Sequence, residues 1–160
     1  MALVEEGRPA IGVVHAPFLG RGETETYVGW AGGGAWRGRE RLSVSARHPG
    51  EAVVGTGFPF RHKEWLPRYL AAFGAAFERF EDLRRPGAAD LDLAWVAAGV
   101  FDGFFELGLG TWDVAAGALL IEEAGGVVSD WQGGPDYLGG DILAGPPVIH
   151  AALLEIARHG

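Results

Sequence analysis

One helix constrains this sequence more than any other feature. Residues Thr111 to Ala124 read TWDVAAGALLIEEA, and Gly125-Gly126 follow. Threonine is well placed to cap such a helix and glycine to end it. Val114, Ala115, Ala116, Leu119, Leu120 and Ile121 spread apolar groups all round it rather than along one stripe. A short helix that is apolar all round does not lie on a surface, so it is expected to be buried on several sides. The rest of the chain has to supply what buries it.

The first fifty residues read as strands and turns. A strand-like segment begins almost at Met1, with no preceding element to pair with. Ala10 to Ala16 (AIGVVHA) and Glu25 to Trp30 (ETYVGW) read as strands, with GRGET as a hairpin-type connection between them. Gly32-Gly33-Gly34 and Arg37-Gly38 mark a further turn before Arg41 to Ser45 (RLSVS), whose alternation predicts another strand. Glu51 to Gly57 predicts one more. From about Glu64 to Leu83, Trp65, Tyr69, Phe73, Phe77 and Phe80 recur at spacings of four, four, four and three. That is one apolar stripe of a helix, expected to face the core.

Beyond Arg84 short α and β units alternate. Ala88 to Ala98 predicts a helix stopped by Gly99, Phe101 to Leu107 a strand, Val127 to Ser129 and Ile142 to Ala144 short strands, and Val148 to Ala157 a closing helix. Alternation of this kind argues for an α/β layer packed on the strands of the first third. With 27 glycines and 9 prolines in 160 residues, many tight turns are expected. The length is that of one ordinary domain.

Thirteen basic against 21 acidic side chains leave a net charge of −8. That balance argues against binding nucleic acid or an anionic membrane, both of which need basic patches. It permits a phosphorylated small molecule if metal ions carry the positive charge. There is no cysteine, the start lacks the pattern of a signal peptide, and no run approaches the ~18 apolar residues of a membrane span. A cytoplasmic protein is expected.

The densest chemical signal is Asp113, expected at the second position of the buried helix and preceded by the glycine-flanked GLGT. The positive end of a helix dipole favours a carboxylate there by ~0.3–1 kcal/mol. Such a carboxylate suits a hard cation such as Mg²⁺, although a plain helix-start aspartate reads the same way. His15 lies in an apolar strand and reads as a core histidine. Arg84-Arg85 could meet a phosphate or a subunit interface, but read more simply as a solvated pair. Asp130 reads as a cap of DWQGGPDYLGG, and Glu122-Glu123 as the exposed end of the helix. No Ser-His-Asp or Cys-His set is present, and no serine sits in a G-x-S-x-G elbow.

The stretch WDVAAGALLIEEAGG resembles, position by position, the C-terminal signature of the inositol monophosphatase family. RRPGAADLDLAWVAAGVFDGFFELGLGTWD is similar to that family's small-residue helix, its Asp-Gly strand and the glutamate seven residues before the aspartate. GFPFR and GDILAGPPVIHAALLEI also look like bacterial members, so the likeness runs along essentially the whole chain. The resemblance implies a layered αβαβα sugar-phosphatase architecture of the α/β class. It also implies Mg²⁺-dependent hydrolysis of a phosphate monoester on a polyol, inositol 1-phosphate first among them. Asp113 matches the metal-liganding aspartate, Glu106 the carboxylate that hydrogen-bonds substrate hydroxyls, and Gly87, Ala88 and Ala89 the turn at a helix start that lines the substrate pocket.

The departures are as informative. The family's Asp-Pro-(Ile/Leu)-Asp-Gly-Thr motif is absent, Ala88 stands where a hydroxyl residue is common, and Asp90 replaces a usual alanine. The expectation is therefore a partial form of the architecture. Residues 1–83 would be a remnant of the first sheet with an amphipathic helix, and residues 84–160 a C-terminal α/β unit. Such a chain is expected to be inactive alone and to form a homodimer or associate through the face left uncovered. Two rival readings are a non-catalytic remnant that binds a sugar or a protein, and a phosphatase of sugar or nucleotide bisphosphates.

Overall fold

A computed structural model of the chain describes residues 1–19 and 25–158. The β-branched and aromatic residues of the first third form an antiparallel meander: β1 (Ala2–Glu5), β2 (Arg8–Ala16), β3 (Glu25–Trp30), β4 (Gly34–Arg37) and β5 (Glu40–Arg41), paired in that order. The opening segment pairs with β2, Ala2 opposite Gly12.

A second sheet joins β6 (Val53–Thr56), β7 (Asp82–Arg84), β8 (Gly103–Glu106), β9 (Val127–Ser129) and β10 (Ile142–Gly145) in the order β7-β6-β8-β10-β9. β6 runs parallel to both β7 and β8, while β10 is antiparallel to β8 and β9. Among the described residues there are four α-helices: α1 (Leu66–Arg79), α2 (Ala89–Ala97), α3 (Thr111–Glu123) and α4 (Pro147–Ala157).

The expected α/β class is observed, and the all-apolar helix decides its layering. α3 and α2 lie between the two sheets, in one core with Val14 and Tyr27 of the first sheet and Phe104, Ile142 and Ala144 of the second. Side chains alternate across a strand, so Phe105 and Leu143 point the other way, into a second core with α1 and α4. The layer order is sheet, α2–α3, sheet, α1–α4. On the far side of the first sheet Leu3, Ile11 and Trp30 are exposed. No helix among the described residues is long and apolar enough to cross a membrane.

Several boundaries differ from those expected. The helix expected to reach Leu83 ends at Arg79, because Phe80 turns extended and the Glu81 and Asp82 N–H groups donate to Ala52 O, starting β7. Its buried line is Tyr69, Ala72 and Ala76; the small alanines let the helix approach closely, and Phe77 is left 73% exposed rather than in the core. Of the strand expected over Arg41 to Ser45 only Arg41 belongs to β5; Leu42 N–H still donates to Ala35 O of β4, and Val44 N–H donates instead to Ala124 O at the end of α3. Gly110 caps α3, Thr111 is its first residue, and Asp113 is third rather than second. The Thr111 hydroxyl donates to Leu138 O. His15 is exposed, not core, and pairs with Thr26 Oγ1 at 2.8 Å. The GRGET connection lies outside the described residues.

Candidate functional site

The parallel strands β6 and β8 end side by side, and the chain beyond each opens a cleft of about 240 Å³. In open α/β sheets ligands commonly sit at the carboxyl ends of the strands. Residues 57–62 form one wall after β6, and 106–109 form another after β8. The starts of α2 and α3 complete it with Gly87, Ala88, Ala89 and Asp113. All five residues singled out from the sequence therefore line one cleft.

Glu106 is the last residue of β8. Gly57 stands against it: a Cβ there would lie 2.2 Å from the Glu106 carboxylate, so glycine makes room for this side chain. Burial, then the Asp92 charge, pushes the Glu106 carboxyl up to about 7, against the pull of Arg85 and Arg61. At neutral pH it exists in both forms, and the protonated form can donate as well as accept a hydrogen bond.

Asp113 has a double position. Its Oδ2 accepts the Gly110 N–H at 3.0 Å, closing the first turn of α3, and lies 3.9 Å from Arg61 Nη1. The side chain is nonetheless about one-third exposed and faces the cleft. As a ligand it offers one carboxylate, whereas Mg²⁺ takes six oxygens in near-octahedral geometry. Among the described residues no three His, Cys, Asp or Glu side chains come together to hold a metal. These residues do not amount to a magnesium site by themselves.

Sequence reasoning missed Asp92 and Arg61 beside these, and favoured a solvated pair for Arg84-Arg85 over contact with a phosphate or a subunit interface. Asp92 is 1% exposed; Gly87 and Ala88 N–H groups donate to its carboxylate, while its Oδ1 has no partner among the described residues. Burial pushes it up to about 6. Its sequence signal was a charge, with Asp90 two residues before it, in a helix otherwise apolar. Arg61 enters the cleft from the loop after β6. Arg85 also lines the cleft, whereas its neighbour Arg84 pairs with Asp82, so the two arginines are not one solvated pair.

The other candidates are structural. Asp130 accepts the N–H groups of Gln132, Gly134 and Asp136, the expected cap of the glycine-rich loop. Glu123 is tied rather than free-standing, accepting Gly32 and Gly34 N–H at 2.7 and 2.8 Å. Asp90, pushed up by burial, accepts Gly117 N–H at 3.3 Å.

The sequence model of the inositol monophosphatase family matches residues 1–159. "Nus factor SuhB" of Escherichia coli strain K12 is 45% identical over 155 residues, 96% of this chain and 57% of that protein. An "Inositol-1-monophosphatase" of Mesorhizobium japonicum is 41% identical over 160 residues, covering 99% of this chain and 59% of that one. The crystal structure of extragenic suppressor protein suhB from Bartonella henselae superposes with a TM-score of 0.91 at 37% identity, over 99% of this chain and 60% of that chain. The chain thus spans less than two-thirds of the length of the relatives it matches.

Proposed function

Because this chain belongs to the inositol monophosphatase family, we propose that its cleft serves the hydrolysis of a polyol phosphate monoester, inositol 1-phosphate before others. What carries the reading is the convergence of Glu106, the Gly87–Ala89 turn and Asp113 on one cleft, although they come from three separate elements. Glu106 takes the polyol side: a carboxyl near its midpoint at neutral pH can accept from one hydroxyl or donate to another. The Gly87–Ala89 backbone, held from behind by Asp92, forms the edge along which the ring lies. Asp113 takes the phosphate side.

Family members generally use Mg²⁺, and such an ion supplies an activated water and charge stabilisation when bound. Asp113 would contribute one oxygen to it.

A second reading is binding without catalysis. The half-engaged Asp113 and the absence of a three-ligand group among the described residues favour it, as does the name Nus factor carried by the Escherichia coli relative. In that reading the exposed Leu3, Ile11 and Trp30 face serves association.

Phosphate release from inositol 1-phosphate with Mg²⁺ separates the two. The 160-residue chain alone is expected to be inactive. A chimera that joins it to the portion of the Mesorhizobium relative lying outside the match is expected to be active. A folded chimera that releases no phosphate would overturn the phosphatase reading and leave the binding one.

A further inference from the structure

The wall after β6 ends on a polar ring to which that reading gives no work. His62 follows Arg61 in this wall and lines the same cleft. Its ring is stacked on that of Trp65, at 14° with centroids 4.1 Å apart. Gly108 belongs to the wall after β8, and a Cβ there would lie 2.8 Å from Trp65 Cζ3 and 2.9 Å from His62 Cδ2. Glycine, at a φ of +74°, thus lets the stacked rings lie against the wall that carries Glu106. Gly108 is itself fixed: its N–H donates to Asp141 Oδ1 at 3.1 Å, and Asp141 stands 3.5 Å from Arg68 Nη1.

The two nitrogens of the His62 ring are placed differently. Nδ1 lies 3.2 Å from Glu64 Oε1. The Glu64 backbone N–H, and after it His62, hold that carboxyl below its ordinary value, so it is ionised and can only accept. In the neutral ring the proton therefore sits on Nδ1, and Nε2 keeps a lone pair. Nε2 has no partner among the described residues. Arg61 and Arg85, the other long polar side chains of the cleft, only donate, so neither can take the hydrogen of a hydroxyl. Glu106 offers an acceptor on one wall, and His62 offers a second on the wall facing it.

We propose that His62 is a specificity-determining residue whose Nε2 accepts a hydrogen bond from a hydroxyl of the bound polyol, while a different hydroxyl meets Glu106. This rests on the reading above, in which the cleft takes a polyol. Acceptors on two walls favour a ring with hydroxyls along two edges over the phosphate ester of a plain alcohol. Glu64 is a positioning residue, acting through the tautomer it imposes on the ring.

The test uses myo-inositol, which presents the hydroxyls without a phosphate for Asp113 to repel. The 160-residue chain, labelled with ¹⁵N, is titrated at pH 8, and its histidine ring nitrogens and backbone amides are followed by NMR; the His62 signals are those missing from H62F. Before addition, Nδ1 is expected to be the protonated nitrogen and Nε2 the bare one. Inositol should move Nε2 together with the Leu107 and Gly108 amides. H62F keeps the stacking on Trp65 but loses the acceptor, and should weaken inositol about fivefold, the scale of one neutral hydrogen bond. H62Q, which returns an acceptor oxygen, should recover part of that loss. A bare Nδ1, an Nε2 that stays still while the two amides move, or an H62F variant that binds like wild type overturns the His62 assignment alone. Inositol that moves none of these signals overturns it together with the polyol reading.

Discussion

Glycine performs opposite tasks in two parts of this molecule. In the helical layer and its seam with the first sheet it lets elements approach closely. A Cβ on Gly12 would lie 3.0 Å from Ala116 O, and one on Gly117 would lie 2.4 Å from Leu93 Cβ. In the cleft it makes space for a side chain, as Gly57 does for Glu106. The seam is close-packed; behind the cleft's Gly87–Ala88 edge, Asp92 keeps a buried carboxylate oxygen without a partner among the described residues. Close packing cannot yield, whereas the end of a long side chain can turn away. Stability and function should therefore come apart when each glycine is replaced.

The largest effect is expected at the seam. Gly117→Val would drive a branched side chain into the base of Leu93, between helices that are themselves held between sheets. Overpacking of that kind costs about 3 kcal/mol, which lowers the melting temperature by about 10 °C in a chain of this size. Gly57→Ala meets only the flexible end of Glu106. Its cost should stay below about 1 kcal/mol, while inositol 1-phosphate binding is lost because the carboxyl is pushed out of place. Equal melting losses from the two variants would break the comparison.

A smaller effect separates the regions by pH. In the folded chain the Glu106 carboxyl is pushed up to about 7 from its ordinary 4.5. Its protonated form favours folding, so this contribution is complete below about pH 4.5 and is lost as pH rises through 7. Glu106→Gln removes the loss. By denaturant unfolding the variant should be more stable than wild type at pH 8, by on the order of 2 kcal/mol, and equal to it at pH 4. An equal gain at both pH values would mean that the benefit comes from packing and not from charge.

Much of the seam was legible before the structure, and much of the cleft was not. α3 announced itself by an apolar surface with no polar face and by glycines at its ends, all of them signals within fifteen residues. β2, β3 and the helices α2 and α4 were visible for the same reason. β7 was hidden because its residues continue the helical spacing of α1, and only the Ala52 carbonyl, distant in sequence, draws them into a strand. The five cleft residues were legible through family resemblance rather than through spacing. Arg61 could not be placed, because what brings it there is the path of residues 57–62 across the ends of β6 and β8, and for Arg85 contact with a phosphate was only the lesser of two readings. Asp92 carried a local signal, a charge among apolar neighbours, but its role depends on which backbone groups turn toward it.

The smallest expected effect uses the two ends of α3, where a carboxylate of each region can be compared on one helix. Glu123 receives two backbone N–H groups from the β3–β4 turn, at 2.7 and 2.8 Å. Glu123→Ala should cost about 1–2 kcal/mol, because two donors lose a charged acceptor. Asp113 receives one N–H, from Gly110 at 3.0 Å, and its Arg61 neighbour stands 3.9 Å away and 69% exposed. An exposed pair at that distance contributes little. Asn keeps the acceptor oxygen that closes the turn, so Asp113→Asn should change unfolding stability by less than about 0.5 kcal/mol. If it costs as much as Glu123→Ala, then Asp113 is held for the helix alone, and the cleft loses the one carboxylate that faces a phosphate.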